Sequence, residues 1–138
     1  MTVTVLKHAT IYTGLERIED GYIRFDDKIL AVGDMFDYQA QAGEQVVDVQ
    51  GKTLIPGFID VHAHGGYGFD AMDGDADQID QMATKMMTHE GVTTLFATTM
   101  TQSTENIDKA MRGVKQAAER NRICLLYTSP SPRDMRRS

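Results

Sequence analysis

The spacing of apolar and polar positions changes character partway along the chain. Over the first fifty residues it is the pattern of short strands. Val3, Val5, His8 and Ile11 lie in a β-prone opening that ends near Thr13-Gly14. From Gly21 to Gly33 the residues alternate, with Tyr22, Arg24 and Asp26 on one side and Ile23, Phe25 and Asp27 on the other. Asp26-Asp27-Lys28 suits a hairpin turn, with Ile29-Leu30-Ala31-Val32 as the return strand. Asp34 to Gly43 is expected as a loop or short helical turn, and Gln45 to Val49 as another strand closed by Gly51-Lys52. Fifty residues bury too little surface to hold a core by themselves.

After Lys52 the pattern becomes strand–helix alternation. Thr53 to His64 is expected as a strand interrupted early by Pro56-Gly57. Asp75 to His89 is expected as a helix, because Ile79, Met82, Ala83, Met86 and Met87 recur at helical spacing. Asp75 suits its N-cap, and Gly91 stands where a left-handed residue ends a helix. Val92 to Met100 is a near-continuous run of apolar residues and threonine, as in a strand covered on both faces. Ser103 then caps a second helix with Ile107, Ala110, Met111, Val114 and Ala117 on one stripe. Gly113 inside that helix costs about 1 kcal/mol relative to Ala, so this helix depends on tertiary packing. The expected fold class is α/β, with parallel strands joined by helical crossovers. Two strands and two helices start such a fold without completing it.

Composition narrows the classes. The chain has 138 residues, a net charge of −6 and 41% hydrophobic residues, which fits a small globular unit. No run of eighteen apolar residues is present, so no membrane-spanning helix is expected. The start lacks the charged and apolar regions of a secretory signal. The acidic balance argues against a nucleic-acid partner. A single cysteine suits a reducing compartment, and a cytoplasmic location is expected, without membrane association. Charge is uneven, however. Residues 123–138 carry Arg133, Arg136 and Arg137 against Asp134, a balance of +2, whereas residues 1–122 hold 11 basic and 19 acidic side chains, or −8. The only cysteine, Cys124, and two of three prolines, Pro130 and Pro132, also fall in that last stretch. Residues 123–138 are therefore read as a non-native tail, with no defined place in the fold. The domains expected are residues 1–52, residues 53–122 and this tail.

The chemistry is concentrated in Ile55-Pro-Gly-Phe-Ile-Asp-Val-His-Ala-His-Gly65. Residues two apart on a strand share a face, so Phe58, Asp60, His62 and His64 point one way and Ile59, Val61 and Ala63 the other. The apolar set can pack under helices. The polar set brings two imidazoles side by side, able to lean toward one divalent ion at about 2.1 Å. Asp60 stands one step back, where a carboxylate can orient a ligating imidazole. A bare His-x-His is also compatible with polar surface. Its position at the end of the first strand of an α/β alternation, before Gly65-Gly66-Tyr67-Gly68, favours a site, since the C-terminal ends of barrel strands carry the chemistry.

Pro56-Gly-Phe-Ile-Asp-Val-His-Ala-His64 resembles the metal-binding signature of the amidohydrolase superfamily. Asp20-Gly-Tyr-Ile-Arg-Phe-Asp-Asp-Lys-Ile-Leu-Ala-Val-Gly33 and Val47-Asp-Val-Gln-Gly-Lys52 look like the small β-sandwich that precedes its barrel. Gly65-Gly-Tyr-Gly-Phe-Asp-Ala-Met-Asp73 and Glu90-Gly-Val-Thr-Thr-Leu-Phe-Ala-Thr-Thr-Met-Thr101 are similar to the deacetylases of that superfamily that act on N-acetylated amino-sugar phosphates. The resemblance covers residues 1 to about 122 and corresponds to the amino-terminal third of such an enzyme. It implies the start of a (β/α)8 metal-dependent hydrolase barrel after part of a β-sandwich. It also implies one or two divalent ions, zinc, iron or similar, with His62 and His64 as the first two ligands. An amino-sugar phosphate substrate and a homodimeric intact enzyme are further implications. The family's glutamate ligand, two later histidines and the aspartate that serves as general base and acid would lie beyond these residues, the glutamate after a third strand starting near Ile123. The fragment by itself is therefore expected to be inactive. The rival readings are an amidohydrolase acting on a cyclic amide or an N-acyl amino acid, and a non-catalytic truncated product. From Cys124 the chain looks like read-through into sequencing-adaptor DNA.

Other candidates have plainer readings. His8 suits a surface or loop position, and His89 suits the last turn of a helix, where partial positive charge complements the dipole. Met82, Met86, Met87 and Met111 fall on helix stripes and are expected in the core. Asp70, Asp73, Asp75, Asp77 and Asp80 miss the spacing of a calcium loop and are read as caps and solvated charge. Thr98 and Thr99 end the second barrel strand, where β propensity and a polar pocket wall are both open readings. Tyr67 and Phe69 on the Gly-rich loop are candidates for substrate contact.

Overall fold

The computed structural model describes residues 2–120 and 124–128, and these form two compact units that divide between Pro56 and Gly57. The first unit is built on a five-stranded sheet. β1 (Thr4–Tyr12) pairs antiparallel with β2 (Arg17–Phe25), which pairs antiparallel with β3 (Ile29–Asp34). On its other side β1 pairs in parallel with β4 (Gln45–Asp48) and with β5 (Thr53–Leu54). The expected hairpin is thus present, though β2 starts four residues before the glycine that opens the alternating stretch. A single 3-10 turn, Met35–Asp37, lies within the expected loop, capped by the Asp34 side chain. Arg24 fastens the rest of that loop to β2. Its guanidinium pairs with the nearly buried Glu44 carboxylate, donates to the Gln39 carbonyl at 2.8 Å and lies over the rings of Tyr22 and Tyr38.

The single strand expected from Thr53 to His64 is two strands in different units. Thr53 and Leu54 stand opposite Thr10 and Ile11 in the first sheet, and the second unit begins only after Pro56. The unit boundary after Lys52 is corrected accordingly. Pro56 supplies no ladder donor and Gly57 no side chain, so the chain can leave one sheet there and enter the next.

The second unit is a β/α alternation. β6 (Phe58–Ala63) leads into a hairpin of β7 (Gly65–Gly66) and β8 (Phe69–Asp70) and a 3-10 turn, Ala71–Asp73. α1 (Ala76–Glu90), β9 (Val92–Thr98), α2 (Thr104–Arg120) and β10 (Cys124–Thr128) follow. The sheet order is β10-β9-β6, with both pairings parallel. The helix ends follow local chemistry. Asp75 Oδ1 accepts the backbone N–H groups of Asp77 and Gln78 at 2.9 and 3.1 Å, and the Gly91 N–H returns to Met87 at 3.1 Å. Ser103 Oγ accepts from the Asn106 N–H at 3.3 Å at the start of α2.

The core of this unit joins Ile79, Met82, Ala83 and Met86 of α1 to Leu95 and Ala97 of β9 and to Val114 and Ala117 of α2. Met87 and Met111, expected with them, are exposed instead. The apolar face of β6 is likewise only partly covered: Ala63 is buried, but Ile59 and Val61 are 62% and 66% exposed, because β6 is an edge strand of the described sheet. Gly113 explains itself by packing. α2 crosses the turn at Gly74 so closely that a Cβ on Gly113 would stand 2.5 Å from the Gly74 carbonyl carbon.

One further expectation is corrected. Cys124–Thr128, read as part of a tail without a place in the fold, pairs in register with Thr94–Thr98 of β9. An apolar Cys-Leu-Leu-Tyr stretch has the residue types that a strand beside β9 requires. The rest of that stretch lies outside the described residues.

Candidate metal centre

The two histidines sit at the C-terminal end of β6, and the pairing of that strand is irregular there. Asp60 stands opposite Leu95 and Ala63 opposite Ala97, so three steps on β6 match two on β9. A bulge of this kind removes a backbone donor from the ladder and re-aims the side chains beside it. The Asp60 carboxylate meets that need by accepting the His62 backbone N–H at 3.0 Å. Asp60 was expected to orient an imidazole. In the structure its carboxylate braces the main chain that carries His62.

The imidazoles converge. His62 Nε2 and His64 Nε2 are 3.1 Å apart, with the rings edge to face at 89°. His64 is half-buried, and its Nδ1 lies 3.0 Å from the Thr98 carbonyl oxygen at the end of β9. A carbonyl only accepts, so His64 Nδ1 carries the proton and Nε2 presents a lone pair. The orienting partner is thus a backbone carbonyl from the neighbouring strand, a contact that residue types alone do not encode. Register supplies it, since Ala63 stands opposite Ala97 and brings the next residues together.

This donor set fits a divalent ion. Two nitrogens each about 2.1 Å from one ion, at interligand angles of roughly 90–110°, stand about 3.0–3.4 Å apart. The observed 3.1 Å falls within that range. The ring proton that links the pair as drawn must leave for binding, so His62 has to carry its hydrogen on Nδ1 when both Nε2 atoms serve as donors. Among the described residues no group of three or more His, Cys, Asp or Glu side chains is gathered for a metal. Two histidines by themselves do not complete the ligand set of a catalytic ion.

The other candidates are accounted for nearby. Tyr67 turns its hydroxyl to Glu90, at 2.6 Å, and its ring to His89, so its side chain packs on α1. The Phe69 ring lies beneath Lys85 Nζ, 5.2 Å from its centroid. His89 Nδ1 lies 3.0 Å from the Lys85 carbonyl one turn back, and His8 pairs with Asp20 in the first unit at 3.0 Å. Asp70 and Asp73 form a capping box around the 3-10 turn, Asp75 caps α1, and Asp77 meets Arg120 at 2.7 Å. Thr98 and Thr99 are fully buried, with the Thr98 hydroxyl donating to the Phe96 carbonyl at 3.1 Å. No described helix is long and apolar enough to cross a membrane.

A β/α alternation with a convergent histidine pair at the end of its first strand is the arrangement of a metal-dependent hydrolase, and comparison with known proteins agrees. The chain belongs to the amidohydrolase family, whose profile matches residues 45–131. Members of this family are in general metal-dependent. An N-acetylglucosamine-6-phosphate deacetylase of Bacillus subtilis (strain 168) is 31% identical over 121 residues, covering 86% of this chain and 30% of that protein. The structure of N-acetyl-D-glucosamine-6-phosphate deacetylase from Mycobacterium smegmatis, solved with N-acetyl-D-glucosamine-6-phosphate, superposes with a TM-score of 0.75 at 26% identity, over 94% of this chain and 33% of that one. A dihydroorotase of Lactobacillus helveticus (strain DPC 4571) is 36% identical over 61 residues, covering 44% of this chain and 13% of that protein. The chain thus spans about a third or less of the length of the relatives it matches.

Proposed function

We propose that this chain is the amino-terminal part of a metal-dependent deacetylase that hydrolyses the acetamide of N-acetylglucosamine-6-phosphate. Glucosamine-6-phosphate and acetate are the products. The observation that carries the reading is the convergence of His62 and His64 Nε2 at the C-terminal end of β6, with the proton of His64 held on Nδ1 by Thr98. The long match to a deacetylase favours this activity over a cyclic-amide hydrolase, whose match is confined to a shorter stretch. His62 and His64 would hold one or two divalent ions together with ligands supplied by the rest of the enzyme. When bound, such an ion activates water for attack and polarises the acetamide carbonyl.

The residues of this chain then have separate tasks. His64 would present Nε2 to the ion because its Nδ1 proton is engaged with a carbonyl. His62 is held by the bulge, whose freed N–H is taken by Asp60. The proton that must reach the leaving amine comes from a group outside this chain, so the chain binds and orients rather than completing the reaction. A cytoplasmic location and a homodimeric intact enzyme are part of the same proposal.

The test uses the full-length enzyme that carries this segment. His62→Ala and His64→Ala should each lower bound metal, measured by elemental analysis, and acetate release from N-acetylglucosamine-6-phosphate. Full metal stoichiometry and unchanged turnover in both variants would refute the ligand assignment. Intact metal-dependent hydrolysis of a cyclic amide, without acetate release, would favour the dihydroorotase-like reading.

A further inference from the structure

The hairpin after His64 contains a residue in an unfavourable conformation. β7 and β8 pair Gly65 with Asp70 and Gly66 with Phe69, which leaves Tyr67-Gly68 as a two-residue turn. Both turn residues have positive φ, +56° at Tyr67 and +84° at Gly68, as a type I′ hairpin requires. Glycine and asparagine accept that region readily, but a bulky aromatic residue does not. Such strain persists only where the surroundings over-determine it.

The surroundings here are the last turns of α1. The Tyr67 hydroxyl donates to Glu90 Oε1 at 2.6 Å, and its ring lies 5.7 Å from that of His89. Lys85 Nζ lies 5.9 Å from the Tyr67 ring centroid and 5.2 Å from that of Phe69, so one ammonium bridges the turn and the returning arm. The hydrogen bond to Glu90, together with desolvation and the carboxylate charge, holds the phenol above its usual pKa. The hairpin begins at the residue after His64, and its far end is tied back where the Ala71 N–H donates to the His64 carbonyl at 2.8 Å. His64 is therefore held twice, through its ring by Thr98 and through its main chain by the hairpin.

We propose that Tyr67 is a positioning residue for His64, latching the hairpin to α1 through Glu90 and so fixing the main chain that carries a metal ligand. The inference rests on the reading of His62 and His64 as ligands. In this role Tyr67 acts through the main chain of His64.

The full-length enzyme, stripped of metal and titrated with Co2+, gives the test, with the visible cobalt absorption and competition against a chelating indicator as readouts. Tyr67→Phe keeps the ring and loses the hydroxyl; it should weaken Co2+ binding by about 10-fold and shift the absorption band. Glu90→Ala should do the same, whereas Glu90→Gln keeps an acceptor and should recover most of the affinity. Tyr67→Asn tolerates the turn but cannot reach Glu90, and it should match Tyr67→Phe, separating the latch from relief of strain. Unchanged Co2+ affinity and spectrum in folded Tyr67→Phe or Glu90→Ala would overturn the latch. His62→Ala and His64→Ala run alongside. If they bind Co2+ as the parent does, or if the parent binds none, the ligand reading itself fails, and the inference with it.

Discussion

Gly113→Ala sets two effects of opposite sign against each other. Helix propensity alone says that alanine should stabilise the middle of α2 by about 1 kcal/mol. Packing says the reverse. A Cβ at this position would lie 2.5 Å from the carbonyl carbon of Gly74, 2.6 Å from its oxygen and 2.8 Å from its Cα. Ordinary contact begins at 3.4 Å, so the two segments must separate by about 0.9 Å. All three opposing atoms are backbone, and no side chain can rotate away. Gly74 is itself hemmed in, with a left-handed φ of +63° and the Lys109 carbonyl oxygen 2.9 Å from where its own Cβ would be. Overpacking a well-fitted site costs about 1–3 kcal/mol. A backbone clash of this depth belongs at the upper end, which leaves a net loss of about 2 kcal/mol after the propensity gain. The assay is urea unfolding of the full-length enzyme followed by circular dichroism, with Gln116→Ala as the control on an exposed position of the same helix. The control should stay within about 0.5 kcal/mol of the parent. A Gly113→Ala variant as stable as the control, or more stable, would show that the Gly74 contact does not govern this position.

Three further outcomes are expected. The 138-residue chain alone should release no acetate from N-acetylglucosamine-6-phosphate with zinc, iron or manganese, because a catalytic ion needs more protein ligands than two histidines, and a metal-dependent turnover by a monodisperse preparation would refute this. Glu44 is held below the usual carboxylate range by its hydrogen bond to Arg24, so the pair contributes stability above the ordinary carboxylate pKa, lost as pH falls through the lowered value; Glu44→Gln should flatten the acid side of a melting-temperature profile, and an unchanged slope there would discount the pair. Amplifying the coding locus afresh should return a different continuation after Ile123 that still provides an apolar third strand, and recovering Ser129–Ser138 in frame would overturn the reading of that stretch as foreign.

Periodicity revealed the elements whose cause is local. α1 has its apolar stripe, its Asp75 cap and its Gly91 terminus within one stretch, and each end is where side-chain chemistry puts it. β9 reads as a buried strand because its neighbours lie on both sides. What depends on distant pairing was not legible. Thr53-Leu54 and Phe58–Ala63 look like one strand with a Pro-Gly interruption, and only register assigns them to two sheets. The β7–β8 hairpin was hidden for a different reason: its turn carries tyrosine at a position where asparagine would have been the signal. Met111 lies on the right stripe of α2 and is nevertheless exposed, since a stripe predicts which face is apolar and not whether a neighbour covers it.

The site shows the same division at finer scale. His62 and His64 are adjacent on one face through strand alternation, and that much follows from spacing. Alternation by itself places their Cα atoms about 6–7 Å apart and says nothing about the ring nitrogens. Bringing both Nε2 atoms to 3.1 Å requires the local irregularity opposite Leu95 and Ala97, an acceptor for the His62 N–H that the irregularity frees, and a carbonyl placed to hold the His64 proton on Nδ1. Asp60 supplies the second of these from within the motif, and Thr98 the third from the next strand. The Thr98 contribution is main chain, while its buried side-chain hydroxyl donates to the Phe96 carbonyl. The orientation of the two imidazoles is thereby tied to the parallel pairing of β6 with β9, so a change that loosens that pairing should disturb the proposed metal centre without touching either histidine.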